Sequence, residues 1–142
     1  MKLALEEADK AEQLNEVPIG AIVVFQDKII AKAHNTREHH NHFYGHAEFL
    51  AMMKAQEIIG DWRLEDCDIY VTLEPCAMCA GAMLQARVKN VFYGAKDPKA
   101  GALESKIRLF DIQFNHKINA CGGILEQTCQ NKIKTFFKKL RK

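Results

Sequence analysis

Short apolar runs of strand length alternate with stretches of helical periodicity along the whole chain, and this alternation limits the fold more than any other feature. Ala4, Ala8, Ala11 and Leu14 recur at helical spacing, which predicts a helix over residues 2–15 that Val17-Pro18 ends. Residues 21–25 and 29–33 read as strands, joined by a turn at Gln26-Asp27-Lys28. Helical periodicity returns over residues 47–59 and stops at Gly60. Residues 68–73 read as a buried strand. Residues 76–87 read as a helix with Pro75 at its entrance, and residues 88–93 as a strand ending at Gly94. A loop rich in Gly, Pro, Lys and Asp covers residues 94–101, and a last helix over 124–140 follows Gly122-Gly123. No repeat or linker interrupts the pattern. It predicts an α/β layered sandwich around one mixed sheet, in a single domain over residues 1–142.

With 142 residues the chain can bury a real core. No stretch approaches the roughly 18 apolar residues of a membrane span. The N-terminus carries acids from Glu6 onward and has no apolar signal-peptide core, which predicts a cytoplasmic protein without a membrane segment. The five cysteines cannot all pair. Cys76 and Cys79 are spaced C-x-x-C, and without a signal that spacing points to metal or redox chemistry more than to a disulfide framework. Cys67, Cys121 and Cys129 read as buried small hydrophobes. Charge is uneven along the chain: Glu6, Glu7, Asp9, Glu12 and Glu16 dominate the start, and Lys132, Lys134, Lys138, Lys139, Arg141 and Lys142 close it without an acid. The basic end reads either as a footprint for nucleic acid or as a solvated helix end.

Two short pieces carry the chemistry. His46-Ala47-Glu48 opens one predicted helix, and Pro75-Cys76-Ala77-Met78-Cys79 opens another. Two sulfurs three residues apart lie on one face of a helical first turn and can grip one zinc ion, with His46 brought in from elsewhere. One nitrogen and two sulfurs leave the fourth tetrahedral position to water, the catalytic rather than the structural arrangement. Zinc in such a site lowers the pKa of water to about 7, and helix starts favour the thiolates of Cys76 and Cys79. Glu48, two residues from His46, cannot share a helical face with it as a second ligand. It can take a proton from the water and pass it to a substrate. Together H-x-E and P-C-x-x-C form the signature of zinc nucleobase deaminases.

At these residues the chain resembles the cytidine/deoxycytidylate deaminase superfamily and, more closely, the bacterial tRNA adenosine deaminases of the TadA type. The matching stretches are Glu16-Val17-Pro18-Ile19-Gly20-Ala21, Asn35, His46-Ala47-Glu48 and the run YVTLEPCAMCAGAM over residues 70–83. Gly94-Ala95-Lys96-Asp97, Gly123-Ile124-Leu125 and Phe136-Phe137 with its basic followers complete them. The resemblance implies a three-layer α/β/α sandwich with a mixed five-stranded sheet and helices on both faces. It implies a zinc-dependent hydrolase, with one Zn2+ per subunit, that converts adenosine to inosine at the wobble position of a tRNA anticodon and works as a homodimer. His46, Cys76 and Cys79 match the zinc ligands and Glu48 the proton shuttle. Asn35 matches a residue that contacts the target nucleoside, Asp97 and Lys99 fall in a loop that touches flanking nucleotides, and Phe137 and Arg141 match a C-terminal helix near the anticodon arm. The chain departs from the family at His42-Phe43-Tyr44-Gly45, where a D-P-T-A-like segment is usual, and at Pro98 and Ala100.

Other readings of the same residues stay open at this level. The chain could deaminate a free base or nucleoside such as guanine or cytidine. It could also be a non-catalytic zinc module that binds RNA, with a fourth ligand from Cys67, Cys121, Cys129 or another histidine. Asn35 also reads as a turn residue, Phe136 and Phe137 as helix core, and Met78 and Met83 as core packing.

Overall fold

The structure is a computed structural model that describes residues 1–141. Helix α1 (Lys2–Gln13) leads into the hairpin of β1 (Gly20–Phe25) and β2 (Lys28–His34). Gln26 and Asp27, at φ of 51 and 61°, make the two-residue turn between them, the left-handed pair that a tight hairpin requires. The short α2 (Arg37–His40) follows, and then α3 (Ala47–Ile59), which Gly60 ends in the left-handed conformation. Strand β3 (Cys67–Leu73), helix α4 (Ala77–Ala86) and strand β4 (Asn90–Ala95) form a parallel crossover. A 3-10 turn at Leu109–Asp111, strand β5 (Asn119–Cys121) and helix α5 (Glu126–Leu140) complete the chain.

The sheet runs β2-β1-β3-β4-β5, antiparallel across β2, β1 and β3 and parallel across β3, β4 and β5. It is the mixed five-stranded sheet that the resemblance implied. Apolar side chains of the sheet contribute to two cores. Ile69, Val71 and Val91 point into the larger one beneath α3 and α4, with Met52, Met83 and Leu64. Tyr70 and Phe92 are register partners and stack at 4.8 Å. A second, smaller cluster joins Leu5 of α1, Ala95 of β4 and Cys129 of α5. Glycines let these helices come close: a Cβ at Gly20 would strike the α1 main chain, and one at Gly94 would strike Cys129. Burial of these faces is the main source of stability.

Several boundaries differ from the sequence reading. Helix α2 lacks apolar periodicity; it forms because the buried carboxylate of Glu16, 22 positions upstream, accepts the N–H groups of Glu38 and His39. Strand β5 is short, exposed and rich in poor strand formers, and only parallel pairing with β4 holds it. Helix α1 stops at Gln13, α5 begins at Glu126 after a left-handed Leu125, and β4 begins at Asn90. Cys67 and Cys129 are buried as expected, whereas Cys121 is exposed, because β5 lies at the sheet edge. Met83 is core, but Met78 is only partly buried. Among the described residues no helix is long and apolar enough to cross a membrane.

Candidate active site

Two helix starts meet at the C-terminal side of the sheet. His46 occupies the N-cap of α3 and Cys76 the N-cap of α4, both with extended backbone, and Cys79 lies in the first turn of α4. Nδ1 of His46 sits 3.6 Å from Sγ of Cys76 and 3.4 Å from Sγ of Cys79. Zinc bonded tetrahedrally to nitrogen and sulfur at ~2.0–2.1 and ~2.3 Å would set those atoms about 3.5 Å apart. The donor set therefore fits the ion in both chemistry and spacing. It is the only cluster of three such donors among the described residues. Cys67, Cys121, Cys129 and the other histidines stay outside it, so the described residues give no support to a fourth protein ligand.

Hydrogen bonding between the thiols splits their acidities. The bond from Cys79 and the contact with His46 draw the Cys76 thiol down to about 4, while the same bond, and then burial, push Cys79 up. The proton of the pair stays on the more buried sulfur and Cys76 carries the thiolate, as a helix start favours. His46 is raised, chiefly by its bond to Cys76. Glu48, in the first turn of α3 and 4% exposed, is pushed by burial to about 7. A carboxylic acid at that value can both accept and release a proton near neutrality.

A cavity of about 200 Å³ opens onto this floor. Its walls come from three places: Val17 and Ile19 before β1, Asn35 and Arg37 after β2, and Glu74, Asp97 and Ala100 beyond β3 and β4. Asn35 lines the cavity and also serves as a turn residue. Its Oδ1 accepts the Arg37 N–H and its Nδ2 donates to the Val17 carbonyl. Asp97 lines the cavity while its carboxylate accepts the N–H groups of Lys99 and Ala100. Lys99 is exposed and does not line it. Phe137 and Arg141 lie on the far helix α5 and its end. Phe136 is buried, and Phe137, packed edge-on against it at 5.4 Å, is 39% exposed. The structure thus joins His46, Glu48, Cys76, Cys79, Asn35 and Asp97 in one site, and leaves Lys99, Phe137 and Arg141 outside it. Sequence reasoning missed Arg37 and Glu74. A glutamate held between a strand and a proline-led helix start, with no partner nearby in sequence, is the signal that could have singled out Glu74. A larger groove of about 530 Å³ lies between α3 and α4, with Phe49, Met53, Trp62 and Gln85 among its walls and no titratable side chain.

Fold and floor together place the chain among the deaminases. The family model of MafB19-like deaminases matches residues 1–141. A solved structure from a study of A-to-I editing by tRNA:A34 deaminases at the wobble position superposes with a TM-score of 0.90 at 41% identity, over 93% of this chain and 96% of that one. Guanine deaminase of Bacillus subtilis superposes less closely, with a TM-score of 0.64 at 30% identity over 80% and 83% of the two chains. The tRNA-specific adenosine deaminase of Bacillus subtilis (strain 168) is 47% identical over all of this chain and 89% of its own length. The chain belongs to the tRNA-specific adenosine deaminase family.

Proposed function

We propose that this chain is a hydrolytic deaminase that converts adenosine to inosine at the wobble position of a tRNA anticodon, as a single domain holding one zinc ion. The observation that carries the reading is the one-nitrogen, two-sulfur donor set with a buried carboxylate beside it at the floor of a cavity. Kinship with tRNA-specific adenosine deaminases selects the substrate. His46, Cys76 and Cys79 hold the ion, which when bound supplies Lewis-acid activation of water at neutral pH. Glu48 takes one proton from the attacking water and gives it to the adjacent ring nitrogen as the water oxygen bonds to the amine-bearing carbon. It then carries that oxygen's second proton to the exocyclic amine, whose bond to carbon breaks to release ammonia. Burial keeps Glu48 poised for both transfers. The floor lies inside the protein, so the target base must leave its stack to reach it. Asn35 and Asp97 hold the nucleoside at the walls. Lys99, Phe137 and Arg141 face the anticodon arm, together with the exposed Lys134 and Lys138.

The enzyme works in the cytoplasm as a homodimer. Support for the dimer is the apolar groove between α3 and α4, where Met53 and Trp62 are 43% and 51% exposed. Sedimentation should give a dimer that Met53→Glu splits; a monomeric wild type contradicts it. The activity is tested with an anticodon stem-loop bearing adenosine at the wobble position, alongside duplex RNA, free adenosine and free guanine. Deamination of the stem-loop alone is expected. Equal turnover of a free base favours the free-base reading.

A further inference from the structure

The carboxylate of Glu74 has no role in the chemistry above, yet no other side chain near the cavity is held by so many donors. Glu74 is 2% exposed, at the junction between β3 and the start of α4. Oε1 accepts the N–H of Asp97 at 3.0 Å and the hydroxyl of Ser105. Oε2 accepts the N–H groups of Leu103, Glu104 and Ser105 at 3.1, 2.8 and 2.9 Å. Four main-chain donors and one hydroxyl from a single loop thus converge on one buried charge, which their bonds hold ionised against the cost of burial. The same loop pairs with the metal-ligand segment. Gly101 bridges Cys76, and the Ala102 N–H donates to the Pro75 carbonyl at 2.8 Å. A Cβ at Gly101 would land on the Glu74 carboxylate, so the loop passes directly over it. Asp97 and Ala100, at the near end of this loop, form one wall of the cavity.

We propose that Glu74 is a positioning residue for the substrate: by clasping the 97–105 loop it sets the wall of Asp97 and Ala100 at a fixed distance from His46, Glu48 and Cys76. The inference rests on the reading that this cavity receives the target nucleoside. A loop alone would leave these N–H groups to water and the wall free to move. With the clasp, the wall stands ready before RNA arrives, so substrate binding does not have to order it.

Glu74→Gln separates this role from general stability. Its best placement keeps the amide oxygen at the Oε2 position, where the three N–H groups of residues 103–105 still donate. The amide nitrogen then faces the Asp97 N–H, donor against donor. The wall is released while most of the clasp survives. Three measurements on the full-length zinc-loaded protein decide. Amide exchange over residues 97–105 should accelerate while exchange in β3 and α4 does not. Zinc content should stay that of the wild type. On the anticodon stem-loop, kcat/KM should fall about 10–100-fold, mostly through KM. Ser105→Ala, which removes only the hydroxyl donor, should move exchange and KM in the same direction by less, and stands in if Glu74→Gln does not fold. Faster exchange with unchanged KM overturns the proposal, as does unchanged exchange. A loss that tracks zinc release or a lowered melting temperature also overturns it, because the role is then only structural. A wild type that fails to deaminate the stem-loop refutes the functional reading instead, and exchange still decides whether Glu74 holds the loop.

Discussion

The floor of the cavity and the C-terminal end of α5 serve the two halves of the proposed activity, and they are built in opposite ways. At the floor every functional side chain is fixed by a helix start and at least partly shielded: Cys79 is fully buried, Glu48 nearly so, and His46 and Cys76 partly. At the end of α5, residues 137–141 are all exposed. That helix is anchored by Cys129 and Phe136 beneath it and by ion pairs of Lys132 with Asp9 and Lys139 with Glu12. Two of the six basic residues of the tail are thereby turned toward α1. Lys142 lies outside the described residues. Bond making needs a few atoms at fixed separations, so it leaves motifs with strict spacing. Attraction to an anionic strand needs only solvated positive charge, and such charge can serve the fold equally well.

Breaking the floor should have the largest effect. Cys76→Ala should abolish zinc binding and deamination together, read by metal analysis and turnover; one zinc per chain in the variant contradicts the ligand assignment. Glu48→Ala comes next. It should keep the metal and the fold but slow turnover by roughly 10²–10⁴-fold. Near-normal turnover removes the proton-transfer role.

Weakening the other region should do less. Deleting residues 138–142 should raise the Kd for tRNA and flatten its salt dependence, with zinc content unchanged. For single-stranded RNA, every phosphate that the shortened tail fails to neutralise lowers the slope by roughly 0.7. An unchanged slope in a titration at several salt concentrations makes the tail a solvated helix end. The smallest effect lies away from both regions, at Glu7 on α1. Burial opposes its charge, but bonds with Lys10 and His34 outweigh that and hold its carboxyl below the usual range. A carboxyl lowered in the fold adds stability above about pH 4.5 and loses it as pH falls through the folded value. Glu7→Gln should therefore flatten the fall in melting temperature below pH 5 and change little at pH 7. An identical acid slope contradicts the pairing.

How far each feature could be read in advance follows the same contrast. His46, Glu48, Cys76 and Cys79 were legible because periodicity puts them at helix starts and the H-x-E and P-C-x-x-C pieces together form a known signature, and the structure brings them together. The main strands and helices were legible from period, to within a few residues. What escaped depends on partners distant in sequence. Helix α2 needs Glu16, the 97–105 loop needs Glu74, and β5 needs the edge of β4. None of these carries a local pattern. Asn35 shows a further limit, since one side chain both ties a turn and lines the cavity; its local context reads as the turn, and only the family resemblance pointed to the nucleoside. Phe136 and Phe137 stand side by side in the sequence, yet one is core and the other half-exposed, which only the packing of α5 decides.

The most direct test of the central claim is nucleoside mass spectrometry of tRNA incubated with the purified protein. With the wild type, inosine should appear at the wobble position as adenosine there is lost, and with Glu48→Ala it should be absent or greatly reduced. A zinc-loaded wild type that leaves wobble adenosine intact would contradict the account.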